Sequence, residues 1–340
     1  MPGFVPMSPT LDRRRGVVAV LAALAVLLAA GAPAARAQDP YSSADDPPCF
    51  GAAARDVLEP CVNRSLRTKV FPRPADAAIM PNSPCTPFAQ TRVLLPCAFG
   101  VDPEAATATI GLVGDSHAAH WRAGVEVVAQ AEGWHGISLT HASCAFSKAK
   151  VSFARPKRRA CTRWNRATLR FLRRHREIDT LFVSDHITGS VIPKHGMSKF
   201  QTQVAGFIAA WRALPETIRH IVVIRDTPRT THNSMSCVAR AVRRHVPPGP
   251  ACAVPRSFAA LVDPATVAAH RWGSRRVDVV DMTPFFCSSR MCLPVIGGVL
   301  VHKDTTHLTQ VFARTLGPYL QRAVEAAMRD WDVLPGGPNP

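Results

Sequence analysis

The feature that most constrains the fold of this chain is a regular alternation of short apolar runs with longer helical stretches. The runs are rich in β-branched residues and lie at about 107–113, 136–140, 180–184, 220–225 and 277–281. The segments between them, such as 199–214, have apolar residues at helical spacing. Strands that alternate with helices form parallel sheets covered on both faces. The sequence therefore predicts a three-layer α/β/α domain with a parallel sheet of about five strands.

The first 37 residues predict a secretory signal peptide. Arg13, Arg14 and Arg15 precede an apolar run that extends to about Ala32, and a small-x-small cleavage pattern ends at Ala37. The apolar run is shorter than the roughly 20 residues that a spanning helix needs, and no later stretch is long enough. We therefore expect an exported protein, secreted or in the cell envelope, that begins near residue 38. An uncleaved N-terminal anchor is the alternative.

The cysteines predict a disulfide framework in the exported chain. An even number of cysteines, all after the cleavage site, allows up to five disulfides, and the spacing favours pairing between neighbours. Zinc is not expected, because no Cys-x-x-Cys motif and no cysteine pair beside histidines at ligand spacing occurs. No other cofactor is expected. The ten cysteines are Cys49, Cys61, Cys85, Cys97, Cys144, Cys161, Cys237, Cys252, Cys287 and Cys292.

Composition divides the rest of the chain into three parts. Residues 38–105 are rich in proline and cysteine, which predicts an irregular extension without long helices. The alternating pattern occupies 106–330 and predicts the α/β domain. We expect residues 331–340 to form a flexible tail.

The net charge of +17 indicates an acidic partner. The signal segment contributes a net +3, so 17 − 3 leaves +14 on the mature chain. An exported basic protein is expected to contact an anionic envelope or an acidic glycan, whereas export argues against nucleic acid. The segment 148–176 alone carries twelve Lys and Arg residues. It predicts either a solvated helix face or a binding site for an anionic polymer.

The segment from Ile110 to His117 places a serine where an α/β enzyme can hold a nucleophile. The first apolar run ends at Gly114, and Ser116 falls in the turn before a predicted helix. The carboxyl edge of a parallel sheet is where such folds place their sites, and a helix start offers N–H groups to an oxyanion. An Asp-Ser cap that only begins a helix is the alternative.

Asp304 and His307 form a D-x-x-H pair before the last predicted helix, which spans 308–328. On a turn or helix this spacing brings a carboxylate to one imidazole nitrogen and leaves the other nitrogen free to act as a general base. A helix cap beside a surface histidine is the alternative. The pair makes Asp304 and His307 candidate partners of Ser116.

Together these motifs resemble the SGNH (GDSL-like) hydrolases. Gly-Asp-Ser-His after the first strand and Asp-x-x-His before the last helix are similar to blocks I and V of that family. The resemblance is closest to the soluble SGNH domain attached to membrane O-acyltransferases, and it covers roughly 85–325. It implies an SGNH or flavodoxin-like fold, with Ser116 as nucleophile, His307 as general base and Asp304 as its orienting acid. The features of this subgroup are Gly114 to Trp121, Cys144 some 28 residues after the serine, and Cys287-x4-Cys292 before Asp304.

Two departures from the family leave its oxyanion hole open. The Asn that many members carry after the third strand is absent from Val183–Gly189, where Ser184 or His186 are the candidate substitutes. The usual block II glycine is also not obvious; the turn that ends at Cys144 occupies that region, which makes Cys144 a third candidate for the oxyanion or substrate site. The remaining candidates for the cleft are Asp115, His117, Arg225 and Asp226, of which the last two are alternatively a pair with each other.

These observations predict an exported serine esterase or O-acyl transferase, with O-acetylated carbohydrate or cell-wall glycan as its partner. The sequence has no membrane-spanning acyltransferase domain. We therefore expect the protein either to hydrolyse exported esters or to receive acyl groups from a separate membrane acyltransferase. A glycan-binding protein that lost turnover is the first rival. A metallophosphoesterase is a weaker one, since its D-x-H and G-N-H motifs are absent.

Overall fold

The computed structural model describes residues 46–332, and a seven-stranded sheet lies at its centre. In space the strands follow the order β1-β2-β4-β3-β5-β6-β7. The five strands from β3 to β7 are parallel and are the five that the sequence predicts. The seven strands are β1 (Thr86–Pro87), β2 (Cys97–Gly100), β3 (Ala108–Gly114), β4 (Trp134–Thr140), β5 (Ile178–Ser184), β6 (His220–Ile224) and β7 (Val277–Val280).

Seven longer helices connect and cover these strands. Their ends follow local sequence signals: Ser198 and Gln201 form a capping box before one helix, and Gly133 ends another in the left-handed conformation, with φ 68°. The helices are α1 (Ser116–Glu132), α2 (Arg155–Arg174), α3 (Lys199–Trp211), α4 (Ser234–Arg243), α5 (Pro264–Trp272), α6 (Gln310–Thr315) and α7 (Gly317–Asp332).

The single helix predicted over 308–328 is two helices in the structure. They meet at Leu316 and Gly317, and Pro318 follows, which cannot donate the hydrogen bond that would continue the first helix. Gly317 also lies so close to α1 that a Cβ there would approach Val127 Cβ to 2.4 Å. The break therefore lets the C-terminal segment pack directly on α1.

Two hydrophobic layers cover the sheet, which gives the predicted three-layer arrangement. Alternate residues of each central strand point to opposite faces, so Leu112 joins the cluster under α1, α6 and α7, whereas Val113 joins the cluster under α2, α3 and α5. On β5, Phe182 joins the first of these clusters and Val183 joins the second. The central strands are buried on both faces, as parallel strands in α/β proteins are.

The Pro- and Cys-rich segment 38–105 is more regular than its composition predicts. β1 and β2 come from this segment: β2 pairs antiparallel with β4, and β1 pairs antiparallel with β2 at the edge of the sheet. Further upstream, the Ala52 N–H donates to Thr315 Oγ1 at 3.0 Å, and Asp56 pairs with Arg322. Hydrophobic periodicity does not reveal strands of two and four residues, and their pairing depends on contacts far along the chain.

All ten cysteines form disulfides between sequence neighbours, as their spacing predicts. Cys85–Cys97 joins the two edge strands, and Cys144–Cys161 ties the segment after β4 to α2. The other three are Cys49–Cys61, Cys237–Cys252 and Cys287–Cys292.

Short elements fill the connections of this fold. Among residues 46–332, none of the helices has the length and apolarity to cross a membrane. The predicted signal segment 1–37 and residues 333–340 of the predicted tail lie outside the described residues. The short elements are strands Val254–Pro255, Met291–Cys292, Val295–Ile296 and Val299–Leu300, helices Pro74–Ala78, Pro248–Ala251, Arg256–Ala259 and Thr283–Phe286, and 3₁₀ turns Gly51–Arg55, Arg64–Leu66 and Pro103–Ala105.

Candidate active site

The turn between β3 and α1 places Ser116 at the carboxyl edge of the sheet. Gly114 has φ 152°, and a Cβ there would lie 2.0 Å from the Ser184 carbonyl oxygen, so only glycine fits. Asp115 then caps α1, because its Oδ1 accepts from the His117 N–H at 2.8 Å. Ser116 is therefore the first residue of a helix, and its own N–H has no acceptor among the described residues.

A tight loop after Val301 holds the D-x-x-H pair. Asp304 Oδ1 accepts from the backbone N–H groups of Thr306 and His307, each at 2.8 Å, and Asp304 Oδ2 lies 2.7 Å from His307 Nδ1. Burial favours the neutral acid, but these hydrogen bonds outweigh it and lower the pKa of Asp304. The carboxylate therefore stays ionised and fixes the histidine ring.

The structure brings the three predicted residues together. His307 Nε2 lies 2.9 Å from Ser116 Oγ, although 191 positions separate the two residues. Ser116 and His307 line the same pocket, whose volume is about 320 Å³. A serine, an imidazole and a carboxylate in this sequence of contacts are arranged for nucleophilic attack by the serine.

Three contacts dock the loop of His307 against the rest of the site. His120 on α1 accepts from the Leu308 N–H through Nδ1 at 3.4 Å. The segment after β6 contributes the other two: the Thr230 N–H donates to the Thr305 carbonyl at 2.8 Å, and the Thr227 hydroxyl donates to the Thr306 carbonyl at 3.2 Å. The position of His307 thus depends on α1 and on the end of β6.

A second histidine–carboxylate pair lies beneath the first. His117 Nδ1 is 2.5 Å from Asp226 Oδ1, and both side chains are only 1% exposed. Burial opposes charge on both groups, but each partner stabilises the other, so the pKa of His117 is raised and the pKa of Asp226 is lowered. The His117 ring packs 4.9 Å from the His307 ring and 4.4 Å from the His186 ring. A buried, hydrogen-bonded histidine–carboxylate pair therefore lies against the pocket.

Ser143 lies in the turn between β4 and α2, one residue before Cys144. Its φ is +60°, a left-handed conformation that glycine adopts without strain, and it lines the pocket beside Ser116. Its N–H has no acceptor within residues 46–332. Sequence reasoning placed this turn but did not single out Ser143, because nothing in a serine side chain signals a positive φ.

Two of the three predicted oxyanion candidates lie away from the pocket. Ser184 is buried in β5 and is not among the pocket residues. Cys144 is also buried, and its sulfur is bonded to Cys161, so it is a structural residue. His186 does line the pocket, and its backbone N–H is already used by Asp115 Oδ2 at 3.1 Å.

Of the predicted cleft residues, some line the pocket and others do not. Asp115 and His117 line the pocket, and Asp226 supports His117 from below. Arg225 points elsewhere, because its guanidinium pairs with Asp281 at 2.9 Å. Arg225 and Asp226 therefore do not pair with each other, since adjacent residues at the end of a strand project in opposite directions.

Asp185 is a buried site residue that the sequence analysis did not single out. Its Oδ1 accepts from the Asp115 N–H at 3.0 Å and from the Phe146 N–H at 3.1 Å. Burial first, and the nearby Asp115 carboxylate second, raise the pKa of Asp185 well above its ordinary value. The available signal was its position, because it directly follows β5 as Asp115 follows β3. Among residues 46–332 no group of three or more His, Cys, Asp or Glu is arranged to hold a metal ion.

The fold and the Ser-His-Asp arrangement define an α/β protein of the SGNH hydrolase and acyltransferase class. The model of the family described as "SGNH domain (fused to AT3 domains)" matches residues 84–322, and the chain belongs to this family. No curated protein matches the sequence.

Two solved structures are similar to this chain at low sequence identity. One is the periplasmic domain of a lipopolysaccharide acetyltransferase from Salmonella ser. Paratyphi A, with 13% identity, a TM-score of 0.50, and coverage of 67% of this chain and 90% of that chain. Another is described as a GDSL-like lipase from Bacteroides ovatus, with 13% identity, a TM-score of 0.37, and coverage of 66% and 55%.

Proposed function

We propose that this protein is an exported serine esterase or O-acyl transferase that acts on O-acyl esters of carbohydrate, of which O-acetyl esters are the first to test. The observation that carries the proposal is the 2.9 Å contact between Ser116 Oγ and His307 Nε2, with Asp304 on the other ring nitrogen. Membership of the SGNH family and the acetyltransferase among its structural relatives support the same class of chemistry. Five disulfides support an oxidising compartment outside the cytoplasm.

In the first half-reaction Ser116 Oγ attacks the ester carbonyl carbon while His307 Nε2 takes the hydroxyl proton. Asp304 holds the ring tautomer and stabilises the imidazolium. The oxyanion forms opposite the helix start, where the Ser116 N–H is free, and the Ser143 N–H is a second candidate donor. When the tetrahedral intermediate collapses, the C–O bond to the sugar breaks and His307 gives its proton to the leaving sugar oxygen. Ser116 is left as an acyl ester.

The second half-reaction decides between the two activities. Water or a sugar hydroxyl attacks the acyl-enzyme and gives its proton to His307, and Ser116 Oγ leaves as the alcohol after that proton returns to it. Water as the acceptor makes the protein an esterase, and a sugar hydroxyl makes it a transferase. A separate membrane acyltransferase is the proposed source of acyl groups in the second case.

The test is turnover of p-nitrophenyl acetate by the mature protein beside its Ser116→Ala variant. We expect the wild type to turn over and the variant to lose activity with its fold and disulfides intact. Ser190→Ala is the matched control, because Ser190 also lines the pocket and pairs with Ser152 rather than with the triad. Equal activity in wild type and Ser116→Ala would rule out the triad. Absence of turnover in all three proteins would leave two alternatives, a transferase that depends on its membrane partner and the glycan-binding rival. Direct binding of acetylated glycans is then the next measurement.

A further inference from the structure

The solvent face of α2 carries a straight row of arginines. Successive members are three or four residues apart, which confines them to an arc of about 80° along about 27 Å of helix. The helix itself runs for 20 residues. We call these residues the arginine stripe. They are Arg155, Arg159, Arg163, Arg166, Arg170 and Arg173, all of them exposed.

The arginine stripe lies in a segment that carries no acidic residues. The segment 148–176 contains twelve basic and no acidic residues. Within residues 46–332 none of the stripe residues forms an ion pair with a carboxylate. Like charges one helical turn apart repel each other, so the row lowers the stability of the helix that carries it. Among the described residues, therefore, no carboxylate neutralises the stripe.

The stripe is continuous with the wall of the candidate active site. Ala149, Val151 and Phe153 line the pocket, whereas the alternate residues Lys148 and Lys150 are exposed. Two residues after Phe153 the helix begins. Basic side chains therefore extend from the pocket rim along the whole of α2.

Basic side chains also surround Phe153, where the pocket wall meets the start of α2. Lys157 Nζ lies 4.1 Å from the centre of the Phe153 ring, and Arg158 donates to the Phe153 carbonyl at 3.3 Å. An extended anionic ligand that leaves the pocket past Phe153 thus meets Lys157 first and the stripe next.

We propose that the arginine stripe binds an anionic polysaccharide, with an acidic group on successive sugars, and so presents its ester groups to the pocket. This inference rests on the proposed function and names the class of glycan on which it acts. One helical turn advances about 5.4 Å, which is comparable to the length of one sugar residue in an extended chain. The planar guanidinium group binds carboxylates and phosphates with two parallel hydrogen bonds.

The other face of α2 argues against a membrane as the partner. Trp164, Thr168 and Leu172 are buried against the sheet, so no apolar face is free to enter a lipid layer. The exposed large hydrophobic residues of the described chain do not include any from α2, which leaves no stacking platform for single-stranded nucleic acid. A linear polyanion that needs charge contacts alone fits this surface best.

The experiment measures binding to the mature Ser116→Ala protein, so that it does not depend on turnover. The charged probes are polygalacturonate for carboxylates and phosphorylated dextran for phosphates. Each is paired with the neutral form of the same backbone, methyl-esterified polygalacturonate and plain dextran. Vesicles containing phosphatidylglycerol and duplex DNA are the remaining probes.

The key variant changes Arg163, Arg166 and Arg170 to Gln, which keeps the helix propensity and removes three charges. The matched control makes the same change at Arg240, Arg243 and Arg244, which are exposed at and just after the end of α4. We expect the stripe variant to bind at least one charged polysaccharide about tenfold more weakly, because each exposed charge contact is worth a fraction of a kcal/mol. The control is expected to bind as the parent does.

Three outcomes would overturn the proposal. They are binding that is equal for charged and neutral polymers, binding that the stripe variant retains, and stripe-dependent binding that is tighter for vesicles or DNA than for either polysaccharide. If binding behaves as expected but the wild type turns over no ester, the stripe stands and the proposed catalytic function fails. If turnover is present but binding is absent, the reverse holds.

Discussion

The carboxylate of Asp304 holds His307 twice, once by the ring and once by the backbone. One oxygen lies 2.7 Å from Nδ1, and the other accepts the His307 N–H at 2.8 Å. The same residue therefore shapes the loop and orients the imidazole that reaches Ser116. A single substitution can separate these two roles.

Asp304→Asn is expected to keep the loop and lose the chemistry. The amide oxygen still accepts from the backbone, but the NH₂ group cannot accept a hydrogen bond from Nδ1–H, so the ring adopts the wrong tautomer. We expect kcat to fall by about 10²–10⁴ with little change in thermal stability. Kinetics with p-nitrophenyl acetate and thermal unfolding measure the two effects.

Asp76→Asn is the matched control for this change. Its side chain is 49% exposed, close to the 50% of Asp304, and it pairs only with Arg73, far from the pocket. Undiminished turnover in Asp304→Asn, or an equal loss in the control, would contradict the role assigned to Asp304.

Asp226→Asn is expected to lower the pKa of His117. The Asp226 carboxylate is what holds the pKa of His117 above its ordinary value despite burial. Without it burial dominates, and the pKa of His117 falls below the ordinary value near 6.5. A ¹⁵N NMR titration of the histidine side chains reports this directly. A His117 titration that is unchanged in the variant would show that Asp226 does not control its protonation.

Ser143→Gly is expected to stabilise the protein and to preserve activity. At φ +60° a serine is strained by about 1–2 kcal/mol, part of which is offset because glycine is more flexible in the unfolded chain. We therefore expect a gain of about 0.5–1 kcal/mol in the free energy of unfolding, measured in urea. Because the proposed role uses only the backbone N–H, Ser143→Ala should also turn over normally. Loss of activity in both variants would assign a role to the hydroxyl instead.

Burial of His302 makes the stability of the protein sensitive to acid. Desolvation lowers its pKa in the folded chain to about 4, whereas the unfolded value is 6.5. Between these values the unfolded chain binds the extra proton, so this contribution to stability is complete above about pH 6.5 and is lost as the pH falls to about 4. Asp263, whose pKa burial raises to about 6, acts in the opposite direction, since its contribution is present at low pH and lost as the pH rises.

His302→Phe isolates the contribution of His302 from that of Asp263. The decrease in unfolding free energy between about pH 7 and about pH 4 should be smaller in the variant than in the wild type by on the order of 3 kcal/mol. Urea unfolding of both proteins at the two pH values measures the difference. An identical decrease in the two proteins would mean that His302 is not buried in its neutral form.

The sequence by itself determined the features that depend on neighbours along the chain. The five parallel strands, the position of Ser116 after β3, the D-x-x-H turn and the disulfides across short intervals all follow from local pattern. Strand ends were predictable because a buried strand is a short apolar run that stops at Gly or at a polar residue. The Asp304–His307 contact belongs to the same group, since its two residues are three positions apart.

Only the tertiary structure decided what depends on the path of the chain. Asp226 reaches His117 across 109 positions, while its neighbour Arg225 turns to Asp281. Ser143 takes a left-handed conformation because the surrounding fold imposes it. The edge strand β2 forms because β4 offers it an unpaired edge, and β1 then pairs with β2. Local sequence fixes which residue types are available at each strand end. Which of them meet is fixed by packing between elements far apart in the chain, and no local pattern encodes it.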